Sequence, residues 1–278
     1  MNRVPFGVSQ FDSLIGGGSP PGSVVLLAGD AGAGAREFAY TSATINAIGR
    51  VDPAMFELHY GSIDSRASLP DEIHYVSFTA SEPEIYEEIT HTIDEELVDP
   101  VSRSIAFEDL SSEYFGLSPI PRDWYVAKRR TIADLGQSHS RRGVLEALGE
   151  YLTEHASSSL VVVDSLTDLI SLPDEQVDWD EVTMLVKGMK KASRAWGGLI
   201  LVLVDRECLT GTQMGGLMGA TDGTICFEWE RRGNERSRTM FVREFRGVLP
   251  RIEEEDIIQF ETEIRDDGLD ISNVRKIR

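Results

Sequence analysis

The sequence predicts a three-layer α/β domain, in which helices cover both faces of a mostly parallel sheet and antiparallel strands extend its C-terminal edge. Short apolar runs alternate with helical periods between residues 23 and 204, which is typical of parallel strands joined by helices. From residue 224 onward, apolar residues recur at every second position, which indicates antiparallel strands. No internal repeat is evident, so we expect a single domain over residues 1–278.

Each element follows from its local pattern. Buried strands are expected at 23–28, 73–78, 104–109, 160–164 and 199–204, and antiparallel strands at 224–229, 239–245 and 257–264. Helices are expected at 35–48, 83–98, 144–155 and 178–196. The stretches near 49–72 and 100–142 contain prolines and little periodicity, so they are expected to be loop insertions. The Gly- and Met-rich segment 210–219 is expected to be a mobile loop.

The charge balance is strongly acidic. The chain carries 47 Asp and Glu against 27 Lys and Arg, for a formal net charge of −20, and only five of the basic residues are lysines. This composition predicts a halophilic protein, because molar salt screens repulsion between carboxylates within about 3 Å. An ordinary acidic protein is the alternative. Either way, non-specific nucleic-acid binding is disfavoured, since it requires a basic face.

Other bulk features favour a cytoplasmic protein without membrane insertion. No run approaches the roughly 18 apolar residues of a membrane helix, and the N-terminal residues lack the apolar run of a signal peptide. Cys208 and Cys226 lie in or near apolar runs and are expected to be buried thiols.

A Gly-rich turn between the first strand and the first long helix carries the functional argument. It comprises Gly29, Asp30, Ala31, Gly32, Ala33, Gly34, Ala35 and Arg36. Its first and last glycines have the spacing of a phosphate-binding P-loop, in which Lys and then Ser or Thr follow the last glycine. Here Ala35 takes the Lys position and Arg36 the hydroxyl position, so the phosphate cation and the Mg²⁺ ligand are both missing. The turn amides still form an anion-friendly nest, to which Arg36 adds a positive charge.

Segments around this turn resemble the KaiC-like branch of the RecA superfamily. Residues 4–18 (VPFGVSQFDSLIGGG) are similar to that family's N-terminal signature, and 160–166 (LVVVDSL) to its Walker B strand. The resemblance implies a RecA-type P-loop fold with a degenerate Walker A motif. It places Asp164 at the family's Mg²⁺-associated carboxylate, although a working metal site is not expected here.

Two further positions depart from the family pattern. The family's paired catalytic glutamates correspond to Thr79 and Ala80, while Glu82 and Glu84 just beyond are expected to serve as N-terminal helix charges. In the strand resembling the family's K-M-R-G segment, Arg246 is retained and Glu244 replaces the Lys. The resemblance makes Arg246 a subunit-interface candidate, and no catalytic residue is expected.

Several other residue groups are interpreted as structural. The histidines show no spacing that suggests a metal site, and the four tryptophans fit core packing. Arginines around residues 233–234 are expected at a hairpin tip, where they would be solvated or would bind DNA or an acidic partner.

Three functions remain open from the sequence. The first is a pseudo-ATPase that acts in regulation or signalling through a protein partner or self-association. The second is a residual ATP or ADP binder with weak or no hydrolysis. The third is a single-stranded DNA binder related to recombination mediators. If the chain is a pseudo-ATPase, no cofactor is expected. If it is a residual nucleotide binder, ATP or ADP is the expected ligand.

Overall fold

A computed structural model describes residues 2–116, 118–125, 143–170, 172, 177–232 and 235–276. Its strands are β1 (Ser23–Gly29), β2 (Ile73–Ser77), β3 (Ile105–Asp109), β4 (Leu160–Asp164), β5 (Leu199–Asp205), β6 (Gly223–Arg232), β7 (Glu235–Phe245), β8 (Ile257–Arg265) and β9 (Gly268–Lys276). Its helices are α1 (Ser9–Ile15), α2 (Ala35–Val51), α3 (Pro53–His59), α4 (Glu82–Thr90), α5 (Glu95–Val98), α6 (Ser111–Phe115), α7 (Val144–His155), α8 (Leu166–Ile170), α9 (Trp179–Trp196), α10 (Gly211–Ala220) and α11 (Leu249–Glu254).

The described strands form one nine-stranded sheet in the order β3-β2-β4-β5-β1-β6-β7-β8-β9. Strands from β3 to β6 pair in parallel, and those from β6 to β9 pair antiparallel. Both the parallel part and the antiparallel C-terminal edge were expected from the sequence, and the fold class is confirmed.

Apolar side chains fill both faces of the sheet. On one face, α2 and the N-terminal segment pack on the strands through a group of aromatic rings that includes Phe6, Phe11 and Phe38. On the other face, α7, α9 and α10 cover the alternate side chains of the same strands. The two layers of helices follow from the period of two in a strand, which sends successive apolar residues to opposite faces.

The N-terminal motif closes around a buried carboxylate. Asp12 accepts hydrogen bonds from the backbone N–H groups of Phe6 and Gly7 and from the hydroxyl of Tyr60. Burial raises the pKa of Asp12 to about 7, and these hydrogen bonds act in the opposite direction. The aspartate therefore fixes the turn that leads into α1.

Two helix boundaries differ from the sequence prediction. The region near 49–72 was expected to be a loop, but α2 runs to Val51 and α3 follows it. Asp52 caps α3 by accepting from the N–H groups of Ala54 and Met55, and Pro53 opens the helix, so a recognisable start signal was overlooked. The helix expected at 83–98 is divided into α4 and α5, although Glu82 and Glu84 do lie in the first turn of α4 as expected.

Other expectations need correction. The supposed mobile loop at 210–219 is helix α10, which begins with a capping box formed by Thr210 and Gln213. Cys208 is exposed, whereas Cys226 is buried as expected. Trp124 is exposed instead of packed in the core. Within the region 100–142, β3 lies where a strand was expected at 104–109, whereas α6 was expected to be loop, and residues 126–142 lie outside the described residues.

Among the described helices, none combines the length and apolar character required to cross a membrane.

Candidate functional site

The Gly-rich turn lies at the carboxyl ends of β1 and β5, beside a cavity of about 410 Å³. The cavity is bounded by the turn, the first two turns of α2, the end of β5 and the exposed side of α4. Ligands of open α/β sheets bind at this edge, outside the carboxyl ends of the strands. Most of the predicted nucleotide-binding residues of the turn line this cavity, whereas Ala33 and Gly34 do not.

The turn is held from outside the pocket. Trp229 Nε1 donates to the carbonyl of Ala31 at 3.0 Å, and Arg238 Nε donates to the carbonyl of Gly32 at 3.0 Å. Gly34 has φ +118, and an added Cβ there would meet Leu269 at 3.0 Å, so this position requires glycine. Sequence reasoning assigned Trp229 to core packing and overlooked its contact with the turn.

Arg36, which lines the cavity, forms an ion pair with the buried Asp164 at the carboxyl end of β4. Arg36 Nη2 lies 3.2 Å from Asp164 Oδ1, with the arginine side chain 52% exposed and the aspartate 4% exposed. The contact is electrostatic, because Asp164 Oδ1 has no aligned hydrogen-bond donor among the described residues. The neighbouring carboxylate raises the pKa of Arg36. The pair thus joins the first turn of α2 to the carboxyl end of β4.

Asp164 is an enclosed carboxylate. Its Oδ2 accepts a hydrogen bond from the hydroxyl of Tyr75 at 2.7 Å, on the adjacent strand β2. Burial raises the pKa of Asp164, whereas Arg36 and Tyr75 lower it. Arg36 therefore supplies positive charge beside this buried carboxylate.

The charged side chains that line the cavity are mostly acidic. Four carboxylates line it, against the single guanidinium of Arg36, and they are Asp30, Glu37, Glu88 and Asp205. No lysine of the described chain lines the cavity. A nucleoside triphosphate carries several negative charges, which these carboxylates repel, so the lining disfavours its binding.

Two carboxylates near the site were not found from the sequence. Glu88 on α4 lines the cavity and accepts a hydrogen bond from Tyr40. Asp168 on α8 lies close to Thr79, with Thr79 Oγ1 3.5 Å from Asp168 Oδ2. Glu88 lies on a helix that only tertiary packing brings to the turn, which is why spacing gave no signal.

The C-terminal candidates lie apart from this chain's own cavity. Glu244 pairs with Thr224, and β6 places Thr224 beside Leu26, three residues before β1 ends at Gly29. Three residues of strand span roughly 10 Å. Arg246 follows β7, is exposed, and donates its backbone N–H to Asp222. The structure thus does not bring Arg246 to the site within one chain, and its role at a subunit interface stays a prediction.

Comparisons with known proteins agree with the fold. No protein-family model matches the chain, and no curated protein matches it. Among solved structures, it is similar to a KaiC-like protein of the hyperthermophilic archaeon Pyrococcus horikoshii, with a TM-score of 0.60 and 17% identity. The similarity covers 98% of this chain and 99% of that one. The chain therefore shares the fold of that KaiC-like protein.

Proposed function

We propose that this chain is a RecA-fold protein that does not hydrolyse ATP and acts in regulation or signalling, through protein partners or self-association. The observation that carries the proposal is the ion pair of Arg36 with Asp164. Phosphoryl transfer depends on a phosphate-binding Lys, a metal ion held by a hydroxyl and a carboxylate, and a residue that positions water. In this chain Asp164, the carboxylate that would hold the metal ion, is paired with the guanidinium of Arg36 instead.

The pocket charge supports the same proposal. To bind Mg²⁺ at Asp164, the chain would first have to break the Arg36 contact and expose a buried carboxylate. The acidic lining would then have to accept the phosphates without a lysine. Each step is unfavourable, because an unpaired buried charge is expensive.

Residual ATP or ADP binding is a second candidate. The cavity favours it, together with the start of α2, where no side chain caps the first turn and the backbone amides point outward. The four carboxylates oppose it. Calorimetric titration with nucleotide separates the two functions. A chain that acts without nucleotide gives no heat of binding at millimolar ATP or ADP, whereas a residual nucleotide binder does.

Phosphate release by the purified chain in molar KCl tests the absence of hydrolysis. We expect no Mg²⁺-dependent release above background from the wild type, and no change in Asp164→Ala or Glu88→Gln. Clear turnover that disappears in either variant would mean that the site is rebuilt around that carboxylate. Circular dichroism of each variant confirms that it is folded.

The partner half of the proposal has its own test. The chain should retain the same partner from its native extract at molar salt with and without MgATP. A partner that is released or recruited only by MgATP would favour the nucleotide-switch candidate instead.

A further inference from the structure

A second cluster of side chains lies at the opposite end of the sheet from the cavity. It contains Glu72, His74 and His155, whose ligand atoms all lie within 4.8 Å of one another. Glu72 Oε2 is 3.1 Å from His74 Nε2. The sequence had suggested no metal site among the histidines, because His155 lies far along the chain from Glu72 and His74.

The topology of the fold brings these residues together. Glu72 and His74 flank the first residue of β2, and alternation along the strand directs both to the same face. His155 is the last residue of α7, which covers that face and returns to β4 through a short turn. Because Leu160 at the start of β4 pairs with Ile73, the end of α7 lies over the start of β2.

We propose that Glu72, His74 and His155 form a binding site for one zinc-class divalent cation. Two imidazole nitrogens and one carboxylate oxygen are a ligand set that Zn²⁺ uses in proteins, with water in the fourth position. Glu154 lies next to His155, its Oε2 3.9 Å from His155 Nε2, and adds negative charge at the rim. Calcium and magnesium are disfavoured, since both prefer ligand sets made of oxygen alone.

The distances suit this ion. Ligands about 2.1 Å from a tetrahedral zinc lie roughly 3.4 Å apart, close to the separation of Glu72 and His74. The remaining ligand has to approach by at most about 1.4 Å, the difference between the 4.8 Å limit of the cluster and the separation of roughly 3.4 Å. His155 is only half-buried at a helix end and Glu72 is exposed, so both side chains have room to rotate.

Tyr151 orients the central ligand. Its hydroxyl lies 2.8 Å from His74 Nδ1, which leaves Nε2 directed at Glu72. A ligating histidine is usually fixed in this way by a hydrogen bond at its other nitrogen. Tyr151 and His155 are four residues apart and therefore share one face of α7. Bound zinc would join the end of α7 to the start of β2.

Zinc binding by the full-length, untagged chain tests the proposal directly. After chelator treatment and dialysis, calorimetric titration with Zn²⁺ alone should give one ion per chain. His155→Asn and Glu72→Gln should each weaken the affinity at least tenfold, and Tyr151→Phe by about 10–100-fold. Because Glu72 is exposed and His155 is half-buried, neither substitution removes a core side chain, and circular dichroism verifies that both variants fold.

Matched substitutions elsewhere control for adventitious binding. His59→Asn and Glu146→Gln replace a half-buried histidine and an exposed glutamate outside the cluster, and both should bind zinc as the wild type does. The X-ray absorption spectrum of the zinc-loaded chain should show two imidazoles at about 2.0–2.1 Å. The proposal is wrong if the wild type binds no stoichiometric zinc, or if the cluster and control variants bind it equally.

Discussion

Removal of the Arg36 guanidinium tests the electrostatic design of the site. In Arg36→Ala, Asp164 keeps the hydrogen bond from Tyr75 but loses the only cation within ion-pair distance among the described residues. Burial then acts on the carboxylate without the opposing charge, so the pKa of Asp164 rises further. We expect a less stable chain at neutral pH.

The magnitude follows from the exposure of the two partners. Removing one partner of a buried ion pair destabilises a protein by about 3–5 kcal/mol, whereas a fully exposed pair contributes about 0–1 kcal/mol. Asp164 is buried and Arg36 is half-exposed, which places the expected loss between these limits, at about 2 kcal/mol. For a chain of this size, that loss lowers Tm by about 4–8 °C.

Thermal and urea unfolding in molar KCl measure this effect. Arg50→Ala is a matched control on the same helix, because Arg50 meets Asp71 at 3.9 Å with both side chains exposed, and its loss should stay below about 0.5 kcal/mol. Arg36→Ala should also have little effect in an Asp164→Asn background, where no charge remains to be compensated.

The pH dependence has a definite sign. Asp164 has a folded pKa above its unfolded value, so its charge destabilises the fold above that folded pKa. As pH falls through the folded pKa toward 3.8, the carboxyl is protonated and the difference between Arg36→Ala and the wild type should shrink. Arg36→Ala could instead lower the stability equally in the wild-type and Asp164→Asn backgrounds, or by an amount independent of pH. Either result would refute the role assigned to the ion pair.

Three further predictions concern salt, assembly and nucleotide. Because the net charge is −20, Tm should rise steeply between low and molar KCl, and a curve independent of salt would contradict a halophilic origin. Because Glu244 replaces the family's trans Lys, sedimentation should give the same species with and without MgATP, and an ATP-driven change in mass would oppose this. The double change Ala35→Lys and Arg36→Thr should improve nucleotide binding in calorimetry far more than phosphate release. Equal gains in nucleotide binding and in phosphate release would show that the chain already contains a group that activates water.

Local patterns were sufficient for the fold class, which the structure confirms, and they supplied the prediction that the turn lacks its phosphate and metal ligands. Strand periodicity predicted the parallel sheet and its antiparallel edge, because burial of a strand depends on its own alternation of side chains. Spacing alone identified Ala35 and Arg36 at the positions of the lost Lys and hydroxyl. The errors arose where a local signal was overlooked, as with the Asp52 cap of α3 and the capping box that makes 210–219 helical.

The chemistry of the two sites was decided by tertiary structure. The sequence placed Arg36 and Asp164 at separate motifs, but their contact depends on how α2 and β4 pack around one edge of the sheet. Glu88, and the cluster of Glu72, His74 and His155, likewise come from elements that are distant along the chain. Charge and periodicity are properties of the sequence by itself. Distances between side chains on different elements exist only after the elements pack, because Coulomb and ligand interactions depend on separation in space.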